Sequence, residues 1–86
     1  MTTWRKEIEI AMKYHHETYD DVVFKWPESG WEDEEFDDDY GVTHGRPFTL
    51  WTTKRVYFPV QYDGREWAGS VPRDPCKVAT IHQGGG

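Results

Sequence analysis

The dipeptide Asp63-Gly64 separates two runs rich in aromatic and β-branched residues, RVYFPVQY and EWAGSV. Aspartate followed by glycine favours a two-residue type I′ turn, because both central positions of that turn need a positive φ. The turn therefore predicts an antiparallel hairpin in which Tyr62 pairs with Arg65, and this pair fixes the register of both strands. No other feature of the sequence restricts the fold as strongly.

This register divides the hairpin into two faces. One face carries three pairs of apolar or small residues: Val60 with Trp67, Phe58 with Gly69, and Val56 with Val71. Its apolar character predicts that the N-terminal helix packs on this face. The other face carries the pairs Tyr57 with Ser70 and Gln61 with Glu66, and we expect it to be wetter.

A further strand is predicted just before the hairpin, in FTLWT, with a loop at residues 52–54. A three-residue loop would place Phe48 and Leu50 on the core side of the sheet. A two-residue loop would place Thr49 and Trp51 there instead. Burial of the larger apolar area favours the three-residue loop.

Three further predictions concern the second half of the chain. Pro59 falls in a strand that should be central, and proline cannot donate a ladder hydrogen bond, so we expect a bulge or local break beside it. Residues 77–81 could add one short strand. The glycine-rich end, residues 83–86, is predicted to be disordered.

The N-terminal segment has the periodicity of an amphipathic helix. The stripe consists of Trp4, Ile8, Ala11, Met12 and His15, with Thr2 or Thr3 as the N-cap. A short second helix is predicted over residues 19–25, with Thr18 and Asp21 at its start and Pro27 after its end. The predicted fold is α+β, with both helices packed on a three- to four-stranded antiparallel β-meander.

Size and composition limit the class of protein. The 86 residues form one domain, residues 1–86, whose small core depends on aromatic residues, which make up 16 % of the chain. One cysteine excludes an internal disulfide, and no apolar run has the length of a membrane span. We therefore expect a soluble, cytoplasmic protein with no membrane partner. Its oligomeric state is open.

The acidic segment, residues 28–41, contains WEDEEFDDDYG, in which seven of eleven residues are carboxylates. The chain has no base between Lys25 and Arg46, so the segment does not neutralise itself locally. Disordered acidic tails are poor in aromatic residues, whereas Trp31, Phe36 and Tyr40 recur here. These rings predict a segment that is held on the domain.

Metal binding is disfavoured by spacing. Counting back from Gly41 as the sixth position of an EF-hand loop places Phe36 and Tyr40 where calcium ligands belong. The potential zinc ligands lack paired spacing; they are His15, His16, His44, His82 and Cys76. The sequence therefore predicts no metal and no cofactor.

Catalysis is also disfavoured. The acids are contiguous rather than placed across a cleft, and Cys76 has no assigned base. The formal net charge of −6 argues against direct binding of nucleic acid. A held acidic surface instead fits the Lys/Arg groove of a nucleic-acid-binding protein, because its charges can imitate those of a phosphate backbone. The predicted partner-binding residues are Asp20, Asp21, Trp31, Glu32, Asp33, Glu34, Glu35, Phe36, Asp37, Asp38, Asp39 and Tyr40.

Three stretches, FDDDYG, residues 47–76 and HQGGG, resemble a family of small, largely uncharacterised acidic proteins encoded by phages, prophages and mobile elements. The most specific part of the likeness is residues 48–76. The resemblance implies an inhibitor of host defence, in particular an anti-CRISPR protein that mimics DNA. Its partner would be a basic nucleic-acid-binding complex of the host, such as a CRISPR effector subunit.

Two other classes stay open. A small structural or assembly protein would oligomerise through an aromatic sheet face that includes Tyr57 and Trp51. A protein that sequesters a nucleotide signal would need a basic pocket, with Arg46, Arg55, Arg65 and Arg73 as its candidates.

Overall fold

The computed structural model describes residues 1–37 and 44–83 of the chain. Within these residues the fold is α+β, with one α-helix packed against a four-stranded antiparallel sheet of order β1-β2-β3-β4. The elements are α1 (Trp4–Tyr14), β1 (Val22–Trp26), β2 (Thr49–Thr52), β3 (Arg55–Tyr62) and β4 (Arg65–Pro72). Consecutive strands are neighbours, so the predicted meander is confirmed. The predicted disordered tail lies outside the described residues except for Gln83.

The helix α1 begins where the sequence predicts it. Thr3 is the N-cap, and its side chain accepts a 3.2 Å hydrogen bond from a backbone N–H of the first turn. Trp4, Ile8 and Met12 are buried along one stripe. His15, predicted for the same stripe, is the C-cap and is exposed. Hydrophobic periodicity therefore located the helix correctly and overran its end by one residue.

The predicted second helix, residues 19–25, is wrong. Thr18 and Asp21 form a capping box, but it closes a single 3-10 turn, Tyr19–Asp21. The chain then extends as β1, whose two valines, phenylalanine and tryptophan favour a strand over a helix. β1 thus adds a fourth strand to the three predicted ones. The further strand predicted at residues 77–81 does not form.

The predicted register of the β3–β4 hairpin is confirmed. Tyr62 pairs with Arg65, and the pairing continues along the whole of both strands. Asp63 and Gly64 have φ angles of 51° and 84°, the positive values that a type I′ turn requires.

Pro59 is accommodated without a bulge in the β3–β4 ladder, where it pairs with Ala68. Because hydrogen-bonded and non-hydrogen-bonded pairs alternate from the turn, its nitrogen points away from β4 and toward the side of β2. On that side the β2–β3 pairs extend no further along β3 than the pair of Leu50 with Tyr57. The missing donor therefore removes no ladder hydrogen bond.

The helix packs on the face of the hairpin opposite to the predicted one. Tyr57, Ser70 and Glu66, which were expected to be wetter, are 0 %, 4 % and 4 % exposed. Ala68 and Ser70 are small, so α1 can lie close to β4. The face that carries Val56 remains half-exposed along much of its length.

The loop between β2 and β3 has two residues, Thr53 and Lys54, rather than three. Phe48 and Leu50 are nevertheless buried as predicted. Both assumptions behind that prediction were wrong, and the two errors offset each other. With a two-residue loop Trp51 pairs with Val56, and both lie on the face that α1 does not cover.

Aromatic rings fill the space between α1 and the sheet. Trp4 contacts Phe36 and Phe48, with ring centroids 4.8 Å apart in both pairs. Trp31 stacks on Phe48 with a centroid distance of 4.7 Å. The core is therefore centred on Trp4, with rings contributed by the helix, the acidic segment and the residues before β2.

Gly45 gives a direct test of this packing. A Cβ at this position would lie 2.5 Å from Trp4 Cζ2 and 2.8 Å from Glu66 Oε1. Trp4 cannot easily move away, because its Nε1 donates to the Arg46 carbonyl at 3.0 Å. We expect Gly45→Ala to lower the free energy of unfolding by about 1 to 3 kcal/mol through overpacking, measured by urea denaturation. An unchanged unfolding midpoint would mean that the segment around Gly45 does not press on the Trp4 ring.

Candidate functional site

The first half of the acidic segment is attached to the core. Trp31 and Phe36 are 2 % and 9 % exposed, and Trp31 Nε1 donates to the Pro27 carbonyl at 2.6 Å. Thr2 and Phe36 exchange two backbone hydrogen bonds of 3.0 and 2.9 Å. Residues 31–37 are therefore fixed against the start of α1. Tyr40, the third predicted anchor, lies outside the described residues.

The segment contains no base of its own, but basic residues outside it compensate part of its charge. Glu32 is 3 % exposed, and one of its carboxylate oxygens lies 2.6 Å from Lys25 Nζ. Asp33 accepts two hydrogen bonds from the Arg5 guanidinium, at 2.7 and 3.2 Å. Glu34 lies 2.9 Å from Arg46 Nε. Among the described acids of the segment, Glu32, Asp33 and Glu34 are thus ion-paired within the chain.

Arg5 links the helix to the acidic segment. Its backbone N–H donates to the Glu32 carbonyl at 2.9 Å, and its guanidinium lies over the Tyr19 ring, 4.7 Å from the centroid. The hydrogen bond from Arg5 holds the pKa of the Asp33 carboxyl below its usual value, so Asp33 is charged at neutral pH. The same bond raises the pKa of Arg5.

The side chains of Tyr19 and Glu32 lie next to each other beneath Arg5. Burial, followed by the neighbouring Glu32 carboxylate, raises the pKa of Tyr19. Within residues 1–37 and 44–83, the Tyr19 hydroxyl and Glu32 Oε2 are the buried side-chain polar atoms that lack a hydrogen-bond partner. Arg5 Nη2 approaches Glu32 Oε2 to 3.9 Å, which is an ion pair rather than a hydrogen bond.

Fewer of the described residues of the segment face solvent than the sequence predicts. Glu35 and Asp37 are exposed, and Glu34 is about half-exposed beside Arg46. Trp31, Glu32 and Phe36 point into the domain, so they hold the segment in place and do not present a surface to a partner. Asp38 and Asp39 lie outside the described residues.

The two flanking acids behave differently from each other. Asp20 is exposed. Asp21 is partly buried, and its side chain accepts a 2.9 Å hydrogen bond from the backbone N–H of Thr18. Its backbone carbonyl accepts a further bond from Thr53. Asp21 therefore has a local structural role in addition to its charge.

Glu66 holds the chain where the described part resumes after the acidic segment. This buried carboxylate accepts hydrogen bonds from the backbone N–H groups of His44 and Gly45, at 2.7 and 2.9 Å. Its position on β4 was expected to be wet, so the sequence alone did not point to it. The chain is consequently attached to the core on both sides of residues 38–43, through Phe36 before them and through Glu66 after them.

A second surface lies on the side of the sheet that α1 does not cover. We call it the outer sheet face, and it consists of Phe24, Trp26, Trp51, Val56, Phe58, Val60, Tyr62, Trp67 and Val71. Phe24 and Trp51 are in ring contact, with centroids 5.4 Å apart. Tyr57, which was assigned to the exposed aromatic face, is buried on the other side.

A cavity of about 650 Å³ lies between α1, β4 and residues 78–83. Arg55 lines it, but its guanidinium donates to the Ser70 hydroxyl at 2.9 Å and to the Ser70 carbonyl at 3.3 Å. Arg46 pairs with Glu34, and Arg73 donates to the Thr52 carbonyl. The four arginines considered for a nucleotide site are therefore not gathered around this cavity.

The described residues contain no cluster of three or more His, Cys, Asp or Glu side chains arranged to hold a metal ion. In the same part of the chain, α1 is too short and too polar to cross a membrane. No family model, curated protein sequence or solved structure matches this chain at a significant level.

Proposed function

We propose that this chain is a non-enzymatic inhibitor that binds a basic surface of a host protein through its acidic segment. The observation that supports the proposal best is the fixed position of residues 31–37. Trp31 and Phe36 are buried, whereas Glu34, Glu35 and Asp37 face solvent. A preorganised charged surface loses less conformational freedom on binding than a disordered segment does.

The chemistry of the partner follows from the charge of the segment. Exposed carboxylates attract Lys and Arg side chains and increase the rate of encounter with them. Proteins that handle nucleic acid concentrate such side chains in a groove. In the setting that the resemblance to phage and mobile-element proteins implies, the partner is a host-defence complex, and the inhibitor is an anti-CRISPR protein.

The ion pairs within the chain sharpen this proposal. Asp33 and Glu34 have their charges partly compensated by Arg5 and Arg46, so they contribute less attraction than free carboxylates. The main attraction is assigned to the exposed Glu35 and Asp37, together with Asp38 and Asp39 of the same acidic run. The buried Glu32 contributes to the position of the segment and not to contact.

The test is a tagged pull-down from a host that expresses its defence systems, followed by affinity measurements on charge variants. Replacing Asp37, Asp38 and Asp39 together with Asn should weaken partner binding at least about tenfold while leaving the thermal melt unchanged or raised. The matched control is Glu9→Gln with Asp63→Asn and Asp74→Asn, which removes the same three charges at exposed positions elsewhere. Binding by this control should stay close to that of the unaltered chain.

The salt dependence gives an independent reading. Raising NaCl from about 0.1 to about 0.5 M should weaken the complex markedly, because screening shortens the range of exposed charges. The proposal is wrong if the Asp37–Asp39 variant binds as tightly as the unaltered chain. It is equally wrong if both triple variants lose the same affinity, because net charge rather than the acidic segment would then explain binding.

A further inference from the structure

The outer sheet face is apolar over most of its area and is partly covered near Gly69, where Gln83 lies over the sheet and Val60 is 7 % exposed. Phe24, Trp26 and Tyr62 are 54 %, 59 % and 48 % exposed. Trp51, Phe58 and Trp67 are half-buried between them. Gln83 reaches the β4 edge beside Gly69, at the end of the face farthest from Trp26. The exposed rings are therefore concentrated on β1, on β2 and near the β3–β4 turn.

This arrangement departs from that of a sheet with a solvated side. In such antiparallel sheets, polar residues alternate with the core residues and cover the side that faces water. Here the residues that alternate with buried Leu50 and Tyr57 are aromatic or β-branched. Contiguous exposed apolar patches larger than a few hundred Å² are uncommon on monomeric soluble proteins, and the largest patch on a protein is often functional.

The size of the face can be compared with what a dimer needs. A large aromatic side chain buries about 150 to 250 Å² when fully covered, so three half-exposed rings leave about 300 Å² accessible. The half-buried rings and valines raise the total to about 400 to 500 Å² per chain. Two copies would together bury about 800 to 1,000 Å², which is below the range of stable interfaces and typical of weak, transient ones.

The charge on this face is compatible with a second copy of the chain as its occupant. Among the described residues that point to this side of the hairpin, Arg65 at the turn carries a charge and no carboxylate is present. A second copy could therefore cover the face without burying an acid, even though each chain carries a formal charge of −6. A face without charged residues at its centre is also compatible with itself under a two-fold axis, which a C2 interface requires.

We propose that a second copy of this chain packs on the outer sheet face, sheet against sheet, to form a weak two-fold dimer. The acidic segment is attached on the other side of the sheet, where Trp31 and Phe36 contact the core. Both surfaces can then act at once, and the dimer presents two acidic segments. The dimer does not depend on the function proposed for that segment.

The test is analytical ultracentrifugation from about 10 μM to about 1 mM, the range in which an interface of this size gives measurable association. The unaltered chain should approach twice the monomer mass of 10.2 kDa. Phe24→Lys with Trp26→Lys should raise the dissociation constant at least about a hundredfold, because both copies would bring two charges into the interface. The matched control is Val78→Lys with Ile81→Lys, which alters side chains that are 64 % and 80 % exposed but lie outside the face.

Three results would overturn the proposal. The unaltered chain could stay monomeric at every concentration, which would leave the face to a different protein or to none. The dimer could survive Phe24→Lys with Trp26→Lys, or dissociate to the same degree in the control. Trp26→Ser alone should also weaken association. Because this variant adds no charge to the fold, it keeps the test valid if the double variant unfolds. The Asp37–Asp39 variant should dimerise normally, so failure of one proposal does not imply failure of the other.

Discussion

Replacing Trp4 with alanine is expected to lower the free energy of unfolding by about 3 to 5 kcal/mol, the cost of deleting a large buried aromatic side chain. Trp4 is 1 % exposed and contacts rings from two other parts of the chain, Phe36 and Phe48. Its Nε1 also donates to a backbone carbonyl. Since small domains are stable by only about 5 to 15 kcal/mol, the variant should be partly unfolded at 37 °C. Urea denaturation followed by circular dichroism measures the loss.

The control for this prediction is the same substitution at Trp26, whose side chain lies on the outer sheet face and is 59 % exposed. Trp26→Ala should change the free energy of unfolding by less than about 1 kcal/mol. Both measurements belong at low protein concentration, because a dimer would otherwise add its own association energy to the apparent stability. Equal losses in the two variants would mean that the core does not lie on the α1 side of the sheet.

The register of the hairpin could be predicted because it depends on local chemistry. The φ angles that Asp63 and Gly64 adopt readily select a turn type, and the turn fixes every later pair. The choice of the buried face could not be predicted in the same way. Alternation of polarity favoured the face that carries Val56, Phe58 and Val60, and this prediction was wrong. The partners that decide between them come from outside the hairpin.

The strand β1 shows how a correct local signal can lead to a wrong element. Thr18 and Asp21 do form a capping box, but a capping box specifies one turn and not the length of the helix after it. The following residues, VVFKW, have the composition of a strand. Giving this composition more weight than the capping signal would have predicted the strand, although not its pairing with β2.

The acidic segment was partly predictable for a related reason. The recurrence of Trp31 and Phe36 among acids indicated anchoring, and both rings are buried. The ion pairs were not predictable, because Arg5 and Asp33 are 28 residues apart and meet only after α1 has folded onto the sheet. Counting bases within the segment therefore overstated its outward charge.

Glu17 is a buried residue to which the sequence analysis assigned no role. It is 6 % exposed, and its carboxylate accepts hydrogen bonds from the Tyr57 hydroxyl at 2.6 Å and the Thr52 hydroxyl at 2.7 Å. Burial, and then this bond to Glu17, raises the pKa of Tyr57, so its phenol stays protonated and remains a donor. Both hydroxyls belong to the face of the sheet that α1 covers.

Glu17→Ala should lower the free energy of unfolding by about 2 to 4 kcal/mol, because it removes hydrogen bonds to a charged acceptor and leaves the buried Tyr57 hydroxyl without one. The Thr52 hydroxyl can still donate to the Arg55 carbonyl at 3.2 Å. Tyr57→Phe should cost about 1.5 to 3 kcal/mol, since it removes one hydrogen bond to a charged group. Glu9→Ala, at an exposed glutamate on α1, is the control and should change stability by less than about 0.5 kcal/mol. Urea denaturation of all three variants measures these losses.

The double variant decides whether the two side chains act together. In Glu17→Ala with Tyr57→Phe, the phenol that lost its acceptor is absent, so the combined loss should fall short of the sum by about 1 to 3 kcal/mol. The side of β3 that carries Val56 and Phe58 offers no hydroxyl within the apolar stretch, so Glu17 could not be satisfied if α1 packed there. Coupling of this size would therefore explain why the helix covers the more polar face. Losses that add within about 0.5 kcal/mol would remove that explanation and leave the small side chains of Ala68 and Ser70 as the reason for the choice.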